Sequence, residues 1–406
     1  MKKPMRARKR ILFLAEGATM THFVRPLALA DSLDPERYEV HLRAPEQFSR
    51  YLENKPYATS FLDAMPGQQF LANLAQGKPL FPPEVVRRYV NEDRKILRSV
   101  QPDIVIGDMR PSLSISARLE NTPSAVIMNA YWSPYAKHRA ILPELPLTRI
   151  IPPSLLQLIY PAAQPIAFAL HVRQMNRVRK EFGLGPLPLD VRHMYTDADY
   201  VLYADVPEFI PTADAPPNHV YIGICDWEAP VQKPDWWDRM IADPRPKVFV
   251  SLGSSGPLRV LPALMRALTS LSPAPAVVLS TSGRAPATEP RADYVADFLP
   301  FRETAGHSAL VVSHGGSGGL YPALAAGAPV LAIPSNADQH LAAAALTDSG
   351  AGLSVRIEHA NFVRLRRVLD TLLRDESVKG MARLWKSTFL RYETPLLLRR
   401  FLVEKT

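Results

Sequence analysis

The sequence predicts an α/β protein built from two separate parallel sheets. Three observations carry that reading. Apolar runs of strand length alternate with helical stretches along most of the chain. The alternation stops in a stretch rich in Pro, Asp and Trp, then begins again. A length of 406 residues exceeds what one ordinary core accommodates, so about two domains are expected. Hydrophobic residues make up 47% and charged residues 21%, which excludes disorder or a coiled coil as an overall description.

In the first half the strand-like runs are residues 10–15, 38–42, 104–107, 124–128 and 200–203, and in the second 247–252, 276–280, 293–297, 310–313 and 330–333. Each is short and apolar and leads into a helical stretch, the repeating unit of a parallel sheet. Residues 226–246, with Pro230, Pro234, Pro244 and Pro246, offer little regular structure and are expected to link a first domain (1–225) to a second (247–380). Residues 381–403 read as helical but lie beyond the last strand of the second sheet. The chain's 40 prolines mostly punctuate loops.

Charge narrows the partners. Lys plus Arg number 48 against 39 Asp plus Glu, yet six of these cations fall in residues 1–10, which contain no acid, so the rest of the chain carries only +3. A distributed nucleic-acid face is not expected. The basic start reads as a solvated terminus, with attraction to an anionic membrane as the alternative. Cys225 is the single cysteine and cannot form an internal disulfide; no Cys/His cluster has metal spacing, and a reducing cytoplasm fits best. The apolar run after the basic start is too short for an export signal. Residues 150–170 are uncharged, but Pro152, Pro153, Pro161 and Pro165 argue against a spanning helix. Buried or groove-lining loops and short helices are expected there, with peripheral contact with a bilayer as the alternative.

Ligands of open α/β sheets gather at the carboxyl ends of strands. There stand His314, Gly315, Gly316, Ser317, Gly318 and Gly319, between a strand and a helix. Glycines admit close backbone approach and a helix N-terminus offers unpaired N–H groups, an anion site suited to a diphosphate; a plain connecting turn is the alternative. Asp338 and Gln339 follow the next strand and have the hydrogen-bonding groups to hold sugar hydroxyls. Residues 253–256, GSSG, add Ser254 and Ser255 as donors to phosphate.

Residues 314–346, HGGSGGLYPALAAGAPVLAIPSNADQHLAAAAL, closely resemble the donor-binding signature of glycosyltransferase family 1. VFVSLGSSG at 248–256 resembles the family's opening strand and phosphate loop, residues 220–223 its pre-linker segment, and Phe298, Leu299 and Pro300 its base-recognition turn. The resemblance extends over nearly the whole chain. It implies the GT-B fold, two Rossmann-like domains facing across a cleft with a C-terminal helix (381–406) crossing back to the first. It also implies a nucleotide-sugar donor, UDP- or dTDP-hexose, as co-substrate and no further cofactor.

Residues 21–26, THFVRP, are similar to the position that opens the family's first helix with a catalytic His. His22 is then the expected general base and Asp108 the acid that orients it; the other readings are a structural histidine and a helix-capping aspartate. Tyr131 and Trp132, with the apolar run 150–170, are expected on the acceptor side, suited to an apolar small-molecule or lipid-like acceptor; core packing is the other reading of the same residues. Pro322 stands where many members carry a ribose-binding Glu, and Gly319 replaces a common Thr or Ser, which favours a deoxyribose donor such as a dTDP-sugar; Pro322 is expected in the first turn of its helix. Asp197 and Asp199 have the spacing of a metal motif but precede a strand, so turn chemistry is expected and no metal. His138, His171, His193 and His307 are expected at the surface or in loops. The reading is an inverting, metal-independent hexosyltransferase, with a sugar-nucleotide epimerase or a non-catalytic nucleotide-sugar-binding partner as alternatives.

Overall fold

In the computed structural model, residues 8–137, 140–284 and 291–405 are described. The chain forms two compact units: residues 1–140, 159–227 and 392–406 make the first, and 141–158 with 228–391 the second.

The first unit contains β1 (Lys9–Ala15), β2 (Tyr38–Ala44), β3 (Ala58–Phe61), β4 (Ile104–Asp108), β5 (Ser124–Met128), β6 (Tyr200–Tyr203) and β7 (His219–Tyr221). They form one sheet in the order β3-β2-β1-β4-β5-β6-β7, with every pairing parallel. A parallel sheet is covered on both faces, so its central strands are apolar throughout; Ile11 to Ala15 and Ile104 to Ile106 have no solvent exposure. Phe23 and Leu27 of the helix Met20–Asp31 pack on one face beside Leu398, Phe401 and Leu402 of the helix Thr394–Lys405, so the chain's last residues complete the first core. The second unit repeats the plan with β8 (Lys247–Ser251), β9 (Ala276–Ser280), β10 (Tyr294–Ala296), β11 (Leu310–Ser313), β12 (Val330–Ala332) and β13 (Gly352–Ser354), ordered β10-β9-β8-β11-β12-β13 and again wholly parallel. Each sheet has one place where strand order reverses, between β1 and β4 and between β8 and β11, and a crevice opens beyond the strand ends at such a point.

Several expectations are corrected. β3, β7 and β13 are short edge strands with partly exposed residues, so no apolar run announces them. β2 is longer than expected and β10 shorter. The expected linker holds a short helix, Trp237–Ala242, and the terminal helical segment breaks into Glu376–Leu390 in the second unit and Thr394–Lys405 in the first. Residues 150–170 are not buried loops. From residue 153 onward they belong to a continuous helix, Pro153–Glu181, which keeps Pro161 and Pro165 inside it and leaves its apolar stretch mostly exposed. Each proline forfeits one i→i−4 bond, and the two are four residues apart, so both losses fall on one face that water can hydrate. Pro322 lies in the second turn of the helix Ser317–Ala326, not the first, and the carbonyl it leaves without an i→i−4 partner is that of Gly318, which is exposed.

Candidate functional site

In the first unit, β1 and β4 are neighbours with Ala15 paired to Asp108, so the helix that follows β1 starts beside the end of β4. His22, in the first turn of Met20–Asp31, places Nδ1 2.8 Å from Asp108 Oδ1. Asp108 is fully buried while the His22 side chain keeps 20% exposure. With Nδ1–H donating to the carboxylate, Nε2 is the nitrogen left to accept a proton.

The pair is held by a residue for which the sequence suggested no role. Arg25, one turn after His22, donates from Nε and Nη2 to both oxygens of Asp108, at 2.6 and 2.7 Å, and Nη2 stands 3.1 Å from His22 Nδ1. Its Nη1 donates to Asn129 Oδ1 at 2.8 Å; Asn129 Nδ2 donates to Asp205 Oδ1 at 3.1 Å, and the Ala130 amide to Asp205 Oδ2 at 2.5 Å. Groups at the end of β4 and just past β1, β5 and β6 are thereby tied into one buried network. Burial opposes the Arg25 charge, but Asp108 outweighs it and the guanidinium pKa lies above its ordinary value. Burial pushes the nearby Cys225 thiol up to about 12, against the pull of Arg25, so it is no nucleophile. Beneath the same strand ends Arg110 joins Glu16, Asp93 and Glu92 at 3.2, 2.9 and 2.8 Å and lies 3.7 Å over the Tyr89 ring. Burial raises the Glu16 carboxyl pKa even though Arg110 opposes the shift.

Tyr131 is 2% exposed, so it is buried rather than presented on an open surface. Trp132 is half-buried and edge-on to Tyr195 at 5.6 Å. Tyr195 in turn lines an apolar groove with Leu80, Phe81, Val86, Met175 and Met194. Asp197 pairs with Arg118 and Arg179, and Asp199 accepts from the Ser124 amide and hydroxyl, the structural use expected of both. His171 and His193 lie on helices and His307 caps one; His138 lies outside the described residues. Among the described residues no three His, Cys, Asp or Glu side chains group closely enough to hold a metal ion.

In the second unit the loops after β8 and β11 meet around His314. A Cβ at Gly253 would stand 2.9 Å from its Cε1, one at Gly316 2.8 Å from Nε2, and one at Gly256 2.8 Å from its Cβ and 2.1 Å from the Leu252 carbonyl, so these glycines clear room for the imidazole. Gly253 and Gly315 also have φ of +58° and +83°, the left-handed region. The helix Ser317–Ala326 starts there with Gly316 as N-cap and no side-chain cap, so its first turn lies at the same place, with the Gly319 amide donating to the Gly316 carbonyl at 3.0 Å. Burial pushes the His314 pKa down to about 4, with Asp338 opposing and Arg284 reinforcing, and Nδ1 has no partner among the described residues. A neutral ring there carries one N–H donor. Arg284, a second residue that sequence reasoning missed, donates to the Gly253 and Gly256 carbonyls at 3.0 and 2.7 Å and brings a cation to the loop.

The remaining expected donor residues divide. Ser254 is exposed and Ser255 accepts from Gln339 Nε2 at 3.4 Å. The Gln339 carboxamide oxygen accepts from the Ser335 amide and hydroxyl at 2.9 and 3.0 Å in a reciprocal cap with Asn336, and the residue is 2% exposed. It is built into the loop rather than presented from it, whereas Asp338 is half-exposed. Phe298 is 43% exposed, with its ring beside Gly283; Leu299 is buried behind it, and Pro300 caps the next helix.

Two parallel-sheet units of this kind define the GT-B class of nucleotide-sugar-dependent enzymes, and comparison with known proteins makes the assignment narrower. Residues 277–395 match the family model described as the C-terminal domain of erythromycin biosynthesis protein CIII-like proteins. Over 360 residues the chain is 42% identical to a PGL/p-HBAD biosynthesis glycosyltransferase of Mycobacterium tuberculosis, covering 88% of this chain and 83% of that one. It is 41% identical over 379 residues to a PGL/p-HBAD biosynthesis rhamnosyltransferase of Mycobacterium bovis (93% and 84% covered). The solved structure of the spinosyn rhamnosyltransferase SpnG complexed with thymidine diphosphate shares the fold, with a TM-score of 0.66 at 17% identity over 97% of this chain and 99% of that one. The chain belongs to glycosyltransferase family 1, among its macrolide- and rhamnosyltransferase-like members, and is a glycosyltransferase.

Proposed function

We propose that this enzyme transfers a deoxyhexose from a dTDP-activated donor to a hydroxyl of an apolar acceptor, with inversion at the anomeric carbon and without a metal ion. One observation carries the reading: the 2.8 Å contact from His22 Nδ1 to the buried Asp108 carboxylate, which points Nε2 outward as a base. The acceptor oxygen attacks the anomeric carbon as the bond to the diphosphate oxygen breaks, and the acceptor proton passes to His22 Nε2. Asp108 balances the imidazolium and Arg25 fixes the carboxylate. The leaving diphosphate is met by His314, the amides at Ser317–Ala326 and the loop that Arg284 braces, charge stabilisation of the kind a metal supplies elsewhere. Asp338 holds the sugar, Phe298 stacks on the base, and the groove beside Trp132 and Tyr195 takes the apolar acceptor. Pro322 in place of the ribose-binding Glu, the relative named a rhamnosyltransferase and the neighbour complexed with thymidine diphosphate all support the deoxyribose donor. Relatives named as transferases argue against an epimerase.

A donor panel with a phenolic or lipid-linked acceptor tests this. dTDP-rhamnose is expected to exceed its UDP counterpart in kcat/KM by about 10-fold or more, with inverted product configuration by NMR and full rate in EDTA. A retained configuration, or a UDP preference, defeats the reading.

A further inference from the structure

The helix Pro153–Glu181 carries a surface that the transfer chemistry leaves unexplained. No Asp, Glu, Lys or Arg occurs between Arg149 and Arg173. Within the first unit, Ile159, Ile166 and Leu170 are 63%, 65% and 52% exposed, with Ala162 and Ala163 exposed between them. Spacings of three and four residues put them in one stripe along the helix. The stripe continues through Arg173, Arg177 and Lys180, all exposed. Among the described residues none of the three has a carboxylate partner, Arg177 meeting only Gln174. Glu181, the acid at the helix end, is already paired with Arg87. Soluble monomers seldom leave so continuous an apolar run in water.

We propose that this face, from Ile159 to Lys180, seats the enzyme on an anionic lipid bilayer. Ile159, Ile166 and Leu170 enter the boundary between acyl chains and headgroups, while Arg173, Arg177 and Lys180 meet lipid phosphates. The helix lies on the bilayer rather than spanning it, because Val172, Met175 and Val178 on its other side belong to the protein core. Arg179 is tied to Asp197 and His171 contacts the Lys78 carbonyl on that side as well. Charge decides between a bilayer and a second copy of the chain. The stripe contains no acid, so pairing it with itself leaves the three cations unmatched, whereas phosphates match them. The inference stands apart from the transfer reading, since it needs neither donor nor turnover.

Flotation of the full chain with vesicles of phosphatidylcholine alone, or mixed with phosphatidylglycerol, at salt of about 0.05 and about 0.5 M is the test. Binding to the mixed vesicles, weaker at high salt, is expected. Ile166→Glu with Leu170→Glu abolishes it, and neutralising Arg173, Arg177 and Lys180 to Gln lowers it about 5-fold per cation. His22→Ala floats like the unaltered chain, which separates this result from any failure of transfer. A solvatochromic dye on Ala163→Cys shifts to the blue on mixed vesicles and guards against variants that fail to fold. Absence of flotation on mixed vesicles at low salt, undiminished flotation of the double glutamate chain, unchanged dye emission, or a lipid-free dimer dispersed by the same two glutamates would each overturn the proposal.

Discussion

Asp108 answers to two partners, the Arg25 guanidinium and the His22 imidazole, and that decides what its loss should do. Its oxygens accept from Arg25 at 2.6 and 2.7 Å and from His22 at 2.8 Å, with no solvent exposure. Asp108→Asn takes the counter-charge from a buried guanidinium, so a stability loss of about 3–5 kcal/mol is expected along with the loss of catalysis. His22→Ala removes only the proposed base: kcat should fall by about 10² to 10⁴ with little change in unfolding midpoint or in nucleotide affinity. Denaturant melts and calorimetric titration of nucleotide diphosphate on the two variants check the contrast. If the Asn chain is as stable as the Ala chain, Arg25 is not held as described. His22 and Asp108 were legible in the sequence because His22 lies in a recognisable string after the first strand and Asp108 at the end of another apolar run. Arg25 sits in the same string and was not, since its meaning depends on Asp108, Asn129 and Asp205, which only the sheet brings together.

Among the elements, the glycine loops were the easiest to read, and the structure supplies their reason. Gly256 has the Leu252 carbonyl 2.1 Å from where a Cβ would be, a contact that no side-chain rotation relieves. Gly256→Ala therefore shifts the backbone of residues 253–256, along with the carbonyls that Arg284 grips and the wall beside His314. Donor KM is expected to rise about 10-fold or more, while the first unit, and His22 within it, is untouched. Isothermal titration with dTDP reads the effect; unaltered affinity would show that this loop takes no part in diphosphate binding. The long helix Pro153–Glu181 was the hardest to read. Prolines at 161 and 165 and an unbroken apolar run argued for buried irregular chain, yet tertiary anchoring at Val172, Met175 and Val178 holds the helix through both prolines. The edge strands β3, β7 and β13 escaped for the opposite reason. Pairing to a neighbour that is already formed makes them strands, and three or four residues carry too little pattern to announce it.

At the scale of the whole molecule, acid should weaken both units through histidines that folding keeps neutral. Burial lowers the His219 pKa in the first unit to about 4; in the second it lowers His314 to about 4 and His340, where Arg356 adds to the effect, to about 3. An unfolded chain takes these protons near the ordinary value of about 6.5. Below that pH the unfolded state binds protons that the folded state refuses, so stability present at neutral pH is lost as pH falls toward the folded values. For His340, which is 5% exposed and has no partner for Nε2 among the described residues, the slope approaches about 1.4 kcal/mol per pH unit. Glu16 acts with the opposite sign. Burial raises its carboxyl pKa, so its contribution is complete below about 4.5 and is lost as pH rises through the folded value, which blunts the histidine effect without reversing it. Melting temperature is therefore expected to fall steadily from pH 7 to pH 5, before most carboxylates titrate. His340→Gln should flatten that fall by its own share and leave the first unit's transition where it was. A melting temperature that holds level or climbs on acidification would mean that these imidazoles are hydrated rather than buried, and the glycine loop around His314 would then lack the dry, neutral donor proposed for it.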